Sequence, residues 1–313
     1  MRHVETLRFV DVIARAGSIR KAADVLSITS TALNRRLLAL EEELGVSLFE
    51  RLPRGVRLSA AGEILIHHIR TQLSDLERVR SQIADLAGER RGHVAIACSQ
   101  ALLPYFLPRQ VARYRTNHPA VTFSVVLRDR AAAEAALADH SADLALVFEP
   151  VRMAEFHTLA SVRQPLCAVM ARDHPLAGRE RLRLRDCLPY PLGMPTAPYG
   201  VRHLLDLAQR RASFRLDPVI ESDSFEFLRN YPAAEHLISF QIPIGLPVRD
   251  GPSPMAFCHR EIDERDVPAG RLYLGQLKGR ILPVAAARFA DQLTGALALV
   301  RGGLSGDVGE SSA

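Results

Sequence analysis

The chain has 313 residues, 48% of them hydrophobic and 24% charged, with a net charge of +5. This is the composition of an ordinary globular protein and excludes a disordered one; the length suits about two domains. The mildly basic balance is compatible with nucleic acid and does not require it.

Leu7, Val10, Ala14 and Gly17 recur at helical spacing, which predicts a helix over 5–15. Gly17 ends it. Ser18 is placed to cap a second helix by accepting an N–H from its first turn, and Ala22 and Ala23 let that helix pack closely. Thr29 is the expected N-cap of a third. Leu33, Leu37, Leu40 and Leu44 then form one apolar stripe, and Gly45 stands where a C-cap belongs. At about 100° per residue, Thr31, Arg35 and Leu38 lie opposite the stripe, with Ser30 and Asn34 on its flank. Ser, Asn and Arg exchange hydrogen bonds with base edges and phosphates, and Leu38 suits a thymine methyl. Lys21, on the second helix, adds a cation. Three short helices with this face on the third describe a helix-turn-helix. The same pattern also describes a plain three-helix bundle with a solvated polar face.

The stretch VSLFERLPRGVRLS follows. Its apolar runs flank Leu52-Pro53-Arg54-Gly55, a turn by its Pro and Gly. The result is a hairpin with a basic tip, from which Arg54 and Arg57 have the reach for phosphate or the minor groove.

From Ala22 to Glu63 the elements AA (22–23), AL (32–33), Arg35, LEEELG (40–45), LFER (48–51) and RLSAAGE (57–63) stand in register over about forty residues. This segment resembles the winged helix-turn-helix of LysR-type transcriptional regulators. It departs from the family's usual Ser-Gln-Pro at Thr29, Ser30 and Thr31, and from commoner polar residues at Leu38 and Ala39. The resemblance implies a DNA-binding domain over 1–59, with a double-stranded operator as partner.

Residues 60–89 contain no Pro, and no Gly between Gly62 and Gly88. Gly62, Ile66, Ile69, Leu73, Leu76, Arg80, Ile83 and Ala87 alternate steps of four and three, a heptad seam interrupted by Arg80. Either the helix lies on its own domain or it pairs with a second copy. The resemblance implies the second, a linker helix dimerising through Ile66, Ile69, Leu73, Leu76 and Ile83. A homodimer or homotetramer is then expected, with RNA polymerase a further partner the resemblance allows. The segment GERRGH (88–93) reads as a charged hinge.

Beyond it the pattern alternates. Strands are expected at 93–99, 121–128, 143–148, 166–171, 218–222, 236–242, 256–262 and 271–277. Helices are expected at 103–119, 131–140, 200–211 and 282–301. The chain is thus α/β overall, with parallel-sheet character here, and ligands in such sheets sit beyond strand carboxyl ends. The resemblance implies two α/β subdomains over 90–301, crossed twice by the chain as in periplasmic binding proteins, holding a small-molecule effector. On that layout Ser99, Gln100, Arg128, Asp129, Phe148, Glu149, Thr196 and Ser222 would line the cleft. Ser99 alone also reads as a helix cap, and Arg128 as a loop charge. A helix start beside Ser99 favours a carboxylate effector. A Gly-rich turn common in the family is replaced by Glu235 and His236. The tail 302–313 is Gly/Ser-rich and reads as disordered.

No GxSxG, GxGxxG, P-loop or HExxH occurs, so no enzyme, metal or cofactor is expected. His67 and His68 are adjacent and do not share a helix face. The four cysteines (Cys98, Cys167, Cys187 and Cys258) lack metal spacing and read as reduced thiols. No stretch has the roughly 18 apolar residues of a membrane helix, and MRHVETLRFVDV lacks a signal-peptide core; no membrane partner and a cytoplasmic location are expected. The competing readings are a solute-binding or enzymatic α/β protein whose N-terminal helices only pack, and a DNA-binding protein without an effector.

Overall fold

The computed structural model describes residues 2–86, 91–211, 214–233, 235–247 and 256–305. The chain divides into two compact units, Met1–Ala87 and Gly88–Ala313.

The first unit contains α1 (Arg2–Ala16), α2 (Ile19–Leu26), α3 (Ser30–Leu44), β1 (Phe49–Leu52), β2 (Gly55–Leu58) and α4 (Ala60–Leu86). The caps stand where the sequence places them. Ser18 Oγ accepts from the Lys21 N–H, Thr29 Oγ1 accepts from that of Ala32, and Gly45 is left-handed at φ 67°. Ala22 and Ala23 are buried, and Leu33 and Leu37 join them with Ile13 in one core. Leu40 only packs against this core and Leu44 is exposed, so the last turn of the stripe projects beyond it.

The antiparallel hairpin pairs Phe49 with Leu58 and Leu52 with Gly55. It is pinned at its base. Glu41, on α3, accepts from the Leu48 N–H at 2.7 Å and the Phe49 N–H at 3.2 Å. The Val56 N–H donates to the Gly17 carbonyl at 2.9 Å. Ser59 Oγ caps α4 by accepting from the Gly62 N–H at 3.0 Å. Position 62 admits only glycine, because a methyl there would meet the Leu48 carbonyl oxygen.

One expectation fails on α4. Ile66 and Ile69, assigned to a subunit interface by the family resemblance, are buried in this unit's own core, and Leu73 packs against it. A heptad seam and an amphipathic face share one periodicity, so spacing alone does not tell them apart. Asp11 on α1 accepts from Arg70 Nε and Arg15 Nε, each at 2.8 Å, fixing α4 to α1. Farther along, Leu76 is half-buried while Val79 and Ile83 are exposed. Ala87 and residues 88–90 of the expected hinge lie outside the described residues.

The second unit opens with β3 (Gly92–Cys98), α5 (Phe106–Asn117), β4 (Val121–Leu127), α6 (Arg130–Ala138), β5 (Leu144–Phe148) and β6 (Phe156–Gln164). It continues with β7 (Cys167–Ala171), β8 (Arg181–Leu182), β9 (Leu192–Pro195), α7 (Gly200–Arg211), β10 (Ile220–Ser222) and α8 (Phe225–Asn230). It closes with β11 (Ile238–Gln241), β12 (Phe257–Ile262), β13 (Gly270–Leu277) and α9 (Val284–Ser305). A five-stranded sheet runs β4-β3-β5-β13-β6, and a six-stranded sheet β10-β9-β11-β7-β12-β8. β3, β4 and β5 are parallel, as are β9, β10 and β11. The chain passes from the first sheet to the second after Gln164 and returns after Ile262, giving two subdomains linked by two crossings.

β5 and β7 are buried at every residue, which explains their unbroken apolar runs. The helix expected at 103–119 begins at Phe106, so Pro108 sits in its first turn, where no intrahelical N–H bond is lost. α9 runs through Ser305, into the expected tail; residues 306–313 lie outside the described residues.

Candidate nucleic-acid interface and ligand cleft

On α3 the residues opposite the buried leucines are exposed: Ser30, Thr31, Arg35 and Leu38. Leu38 is 48% exposed, which is high for a leucine in a helix that already buries two others. Two neighbouring arginines differ in kind. Arg36 turns back, 3.6 Å from Glu5 and with its guanidinium 4.7 Å from the centre of the Phe9 ring. Arg35 has no hydrogen bond or ion pair among the described residues. Its charge is therefore uncommitted, on the face that carries Leu38.

Lys21 is exposed on α2, and Thr29 is exposed with its hydroxyl used for the cap. Asn34 is half-buried, and its Oδ1 accepts from Arg51 Nη2 at 3.2 Å. Arg51, on β1, was not singled out in the sequence, where it stands only as the last residue of the LFER motif. The two wing arginines also separate. Arg54 is exposed at the tip. Arg57 donates to Glu50 at 2.6 Å, and this bond holds its guanidinium above the usual arginine range. The two residues are register partners across the hairpin. Much of the Arg57 charge is thus offset inside the wing.

In the second unit the carboxyl ends of both parallel strand sets converge on one cleft, lined by Ser99, Arg128, Asp129, Phe148, Tyr199 and Phe225 among others. Its interior space is about 10 Å³, room for about one water. The Ser99 Oγ is buried and makes no hydrogen bond. A buried hydroxyl without a partner costs free energy. Asp129 caps α6, accepting from the Ala132 N–H at 2.9 Å. Arg128 is exposed and donates to the neighbouring Leu127 carbonyl at 3.1 Å.

Four expected cleft residues have other work. The Gln100 amide donates to the Asp223 carbonyl and accepts from the Phe225 N–H at 2.8 Å. Both of its ends are used, and it clamps one subdomain to the other. Glu149 extends the β5–β13 ladder: its N–H donates to the Arg271 carbonyl at 3.0 Å, and its carboxylate accepts from the Arg271 N–H at 2.7 Å. The Thr196 N–H donates to the Ser222 carbonyl at 3.1 Å, and Ser222 Oγ accepts from the Ser224 N–H at 3.1 Å. The first bond ties the ends of β9 and β10 together, and the second closes the turn after β10. Thr196 does not cap α7, which starts at Gly200.

The helix start is instead at the cleft wall itself. Tyr199, Gly200 and Val201 line it, and a methyl at 200 would collide with the Phe148 carbonyl oxygen. Glycine lets the first turn of α7 approach β5 this closely. Tyr199 packs edge-on to Phe225 at 5.5 Å between ring centres. Arg130 also lines the cleft. It donates to the Glu149 carbonyl, and burial pulls its guanidinium below the usual arginine range. Its signal was available: it follows the Asp129 cap and so opens α6. Tyr199 and Phe225 gave none, since cleft aromatics read as core. Burial pushes the Cys98 thiol up to about 12, which leaves it protonated and unreactive.

Two family models match the chain. One, described as LysR substrate binding domain, covers residues 87–298; the other, described as bacterial regulatory helix-turn-helix protein of the lysR family, covers 4–63. The RuBisCO operon transcriptional regulator of Allochromatium vinosum is 32% identical over 64% of this chain and 66% of its own length. The transcriptional activator CmpR of Synechocystis is 25% identical over 90% of this chain and 91% of its own. Among solved structures, a full-length OxyR variant from Pseudomonas aeruginosa superposes with a TM-score of 0.69 at 19% identity, covering 95% of this chain and 94% of that one. It shares the fold of both units.

Proposed function

Because the chain belongs to the LysR family of bacterial transcriptional regulators, we propose specific roles for its two sites. The α3 face of Ser30, Thr31, Arg35 and Leu38 enters the major groove of an operator, and Arg54 reaches the backbone from the wing tip. Lys21 adds a phosphate contact from α2. The second unit takes a small carboxylate in the cleft at Ser99, between two parallel strand sets. A ligand shifts the regulator by binding one arrangement of the subunits more tightly than another. The observation that carries the DNA half is the uncommitted Arg35 beside an exposed Leu38. The one that carries the ligand half is the buried, unpaired Ser99 hydroxyl, with Arg128 and Arg130 beside it to supply positive charge. No described helix is long and apolar enough to cross a membrane, and access to operator DNA puts the working location in the cytoplasm.

The subunits pair through the distal half of α4. Ile66, Ile69 and Leu73 serve their own core, so the pairing face is Leu76, Val79 and Ile83, the last 62% exposed. Two copies give two reading heads for two half-sites. A homotetramer is two such pairs, and RNA polymerase is the partner that operator binding serves.

Arg35→Ala weakens specific DNA binding by about 1–3 kcal/mol if Arg35 makes a bidentate base contact. Gel shifts on the upstream DNA of its own gene and on random duplex measure this. Unchanged affinity on both rejects the role. Leu76→Asp with Ile83→Asp places charge in an apolar interface, and sedimentation should show a shift toward monomer with the thermal transition of the fold retained. A double variant that stays dimeric moves the interface elsewhere. A thermal-shift screen of small organic and aromatic acids identifies a ligand by mass action. Calorimetric titration of Ser99→Ala with that ligand should show a loss of about 0.5–1.5 kcal/mol, and about twice that for a charged bond. Equal affinity in variant and parent removes Ser99 from the site.

A further inference from the structure

Asn34 lies at the border between the reading face of α3 and the wing. Asn34 and Glu41 are seven residues apart, about two helical turns, and so share one side of α3. Glu41 holds the start of β1 through the Leu48 and Phe49 N–H groups. Asn34 meets the same strand two turns earlier, through Arg51. Thr31 and Leu38, three before and four after Asn34, carry the adjoining exposed face.

The chemistry of this pair fixes the orientation of the amide. A guanidinium has donors only, so any hydrogen bond it makes to Asn34 goes to Oδ1. The distance is 3.2 Å. With Oδ1 turned to the wing, the amide nitrogen and its two hydrogens remain for the groove. An asparagine that reads adenine needs both ends, donating to N7 and accepting from N6. Oδ1 keeps a second lone pair, but an oxygen turned to Arg51 on the wing presents its N–H edge to the groove, and that edge alone does not satisfy the pattern. Guanine offers two acceptors side by side, O6 and N7, and suits it.

The geometry points to Asn34 as a donor-only reader of guanine, with Arg51 as the positioning residue that denies it the adenine pattern. The inference rests on α3 lying in the major groove. It adds a base preference set from the wing, by a residue that need not touch a base itself.

The test is selection of bound duplexes from a random-sequence library by the full-length protein, with sequencing of the enriched pool. The parent should show a guanine favoured by roughly tenfold or more at one step of each half-site. Asn34→Asp keeps the bond to Arg51 and replaces the groove donor by an acceptor, so that step should change to cytosine, whose N4 donates. Arg51→Met releases the amide, and adenine should rise at the same step. Arg51→Lys, still donor-only, should retain guanine. If Arg51→Met does not fold, Arg51→Ala, which also removes the donor, takes its place with the same expected rise of adenine. An Asn34→Asp pool identical to that of the parent overturns the inference. So does an Arg51→Met pool with its guanine intact. Uniform weakening of Arg51→Met on all sequences with a shallower salt dependence makes Arg51 a phosphate contact and also overturns it. If Arg35→Ala loses specific binding while Asn34→Asp changes no base preference, α3 still reads DNA and only this inference falls.

Discussion

The rotation of α3 about its own axis is the constraint on which the DNA-binding unit depends. Leu33 and Leu37 are buried with Ile13, Ala22 and Ala23, and each buried leucine contributes about 1.5–3 kcal/mol. Turning the helix by one residue would expose them. With that face committed, Thr31, Arg35 and Leu38 have no choice but to point outward. The wing is then set against the same helix by Glu41, whose carboxylate takes two backbone N–H groups of the segment entering β1. Reading face and hairpin tip are therefore placed by a few contacts in one small core, which also takes in the first turns of α4.

The second unit answers a different requirement. Its two parallel strand sets end on one cleft, and the groups left there are an unpaired hydroxyl, two arginines and several aromatic walls. The cleft is nearly closed, and Gln100 holds its two sides together by a pair of hydrogen bonds. A ligand larger than water must part those sides. A ligand that does so selects the arrangement it fits, which is how binding free energy becomes a change of state. Arg128, Arg130 and the start of α7 bring positive charge to the cleft, where the Asp129 carboxylate is committed to capping α6.

Much of this was legible in the sequence, for physical reasons that differ by element. Ser18, Thr29 and Gly45 were legible because capping is local chemistry. β5 and β7 were legible because a strand buried on both faces is apolar throughout. β6 was not: it is an edge strand of FHTLASVRQ, with its exposed and buried residues in no strict alternation. β9, LGMP, carries a Gly and a Pro, and α8 is six residues long, too short for a period to show. In the cleft, Ser99 and Phe148, at the ends of β3 and β5, line the wall as the family layout implies. Gln100 and Glu149 stand at the same ends and serve backbone bonds instead, which no spacing distinguishes. On α4 the division of one stripe between a core and an uncovered end depends on where α1 stops, and that is a tertiary fact.

The proposed function turns on the exposed face of α3 lying against base edges in the major groove. Leu38 tests it through a single methyl group. In an operator obtained by selection, each thymine in turn is replaced by deoxyuridine, which removes the 5-methyl and leaves the pairing intact. The binding constants of the parent and of Leu38→Ala are then compared. One thymine in each half-site is expected to carry a methyl that adds about 1 kcal/mol for the parent and nothing for Leu38→Ala. Methyl removal that costs the two proteins equally at every position would contradict this placement of α3.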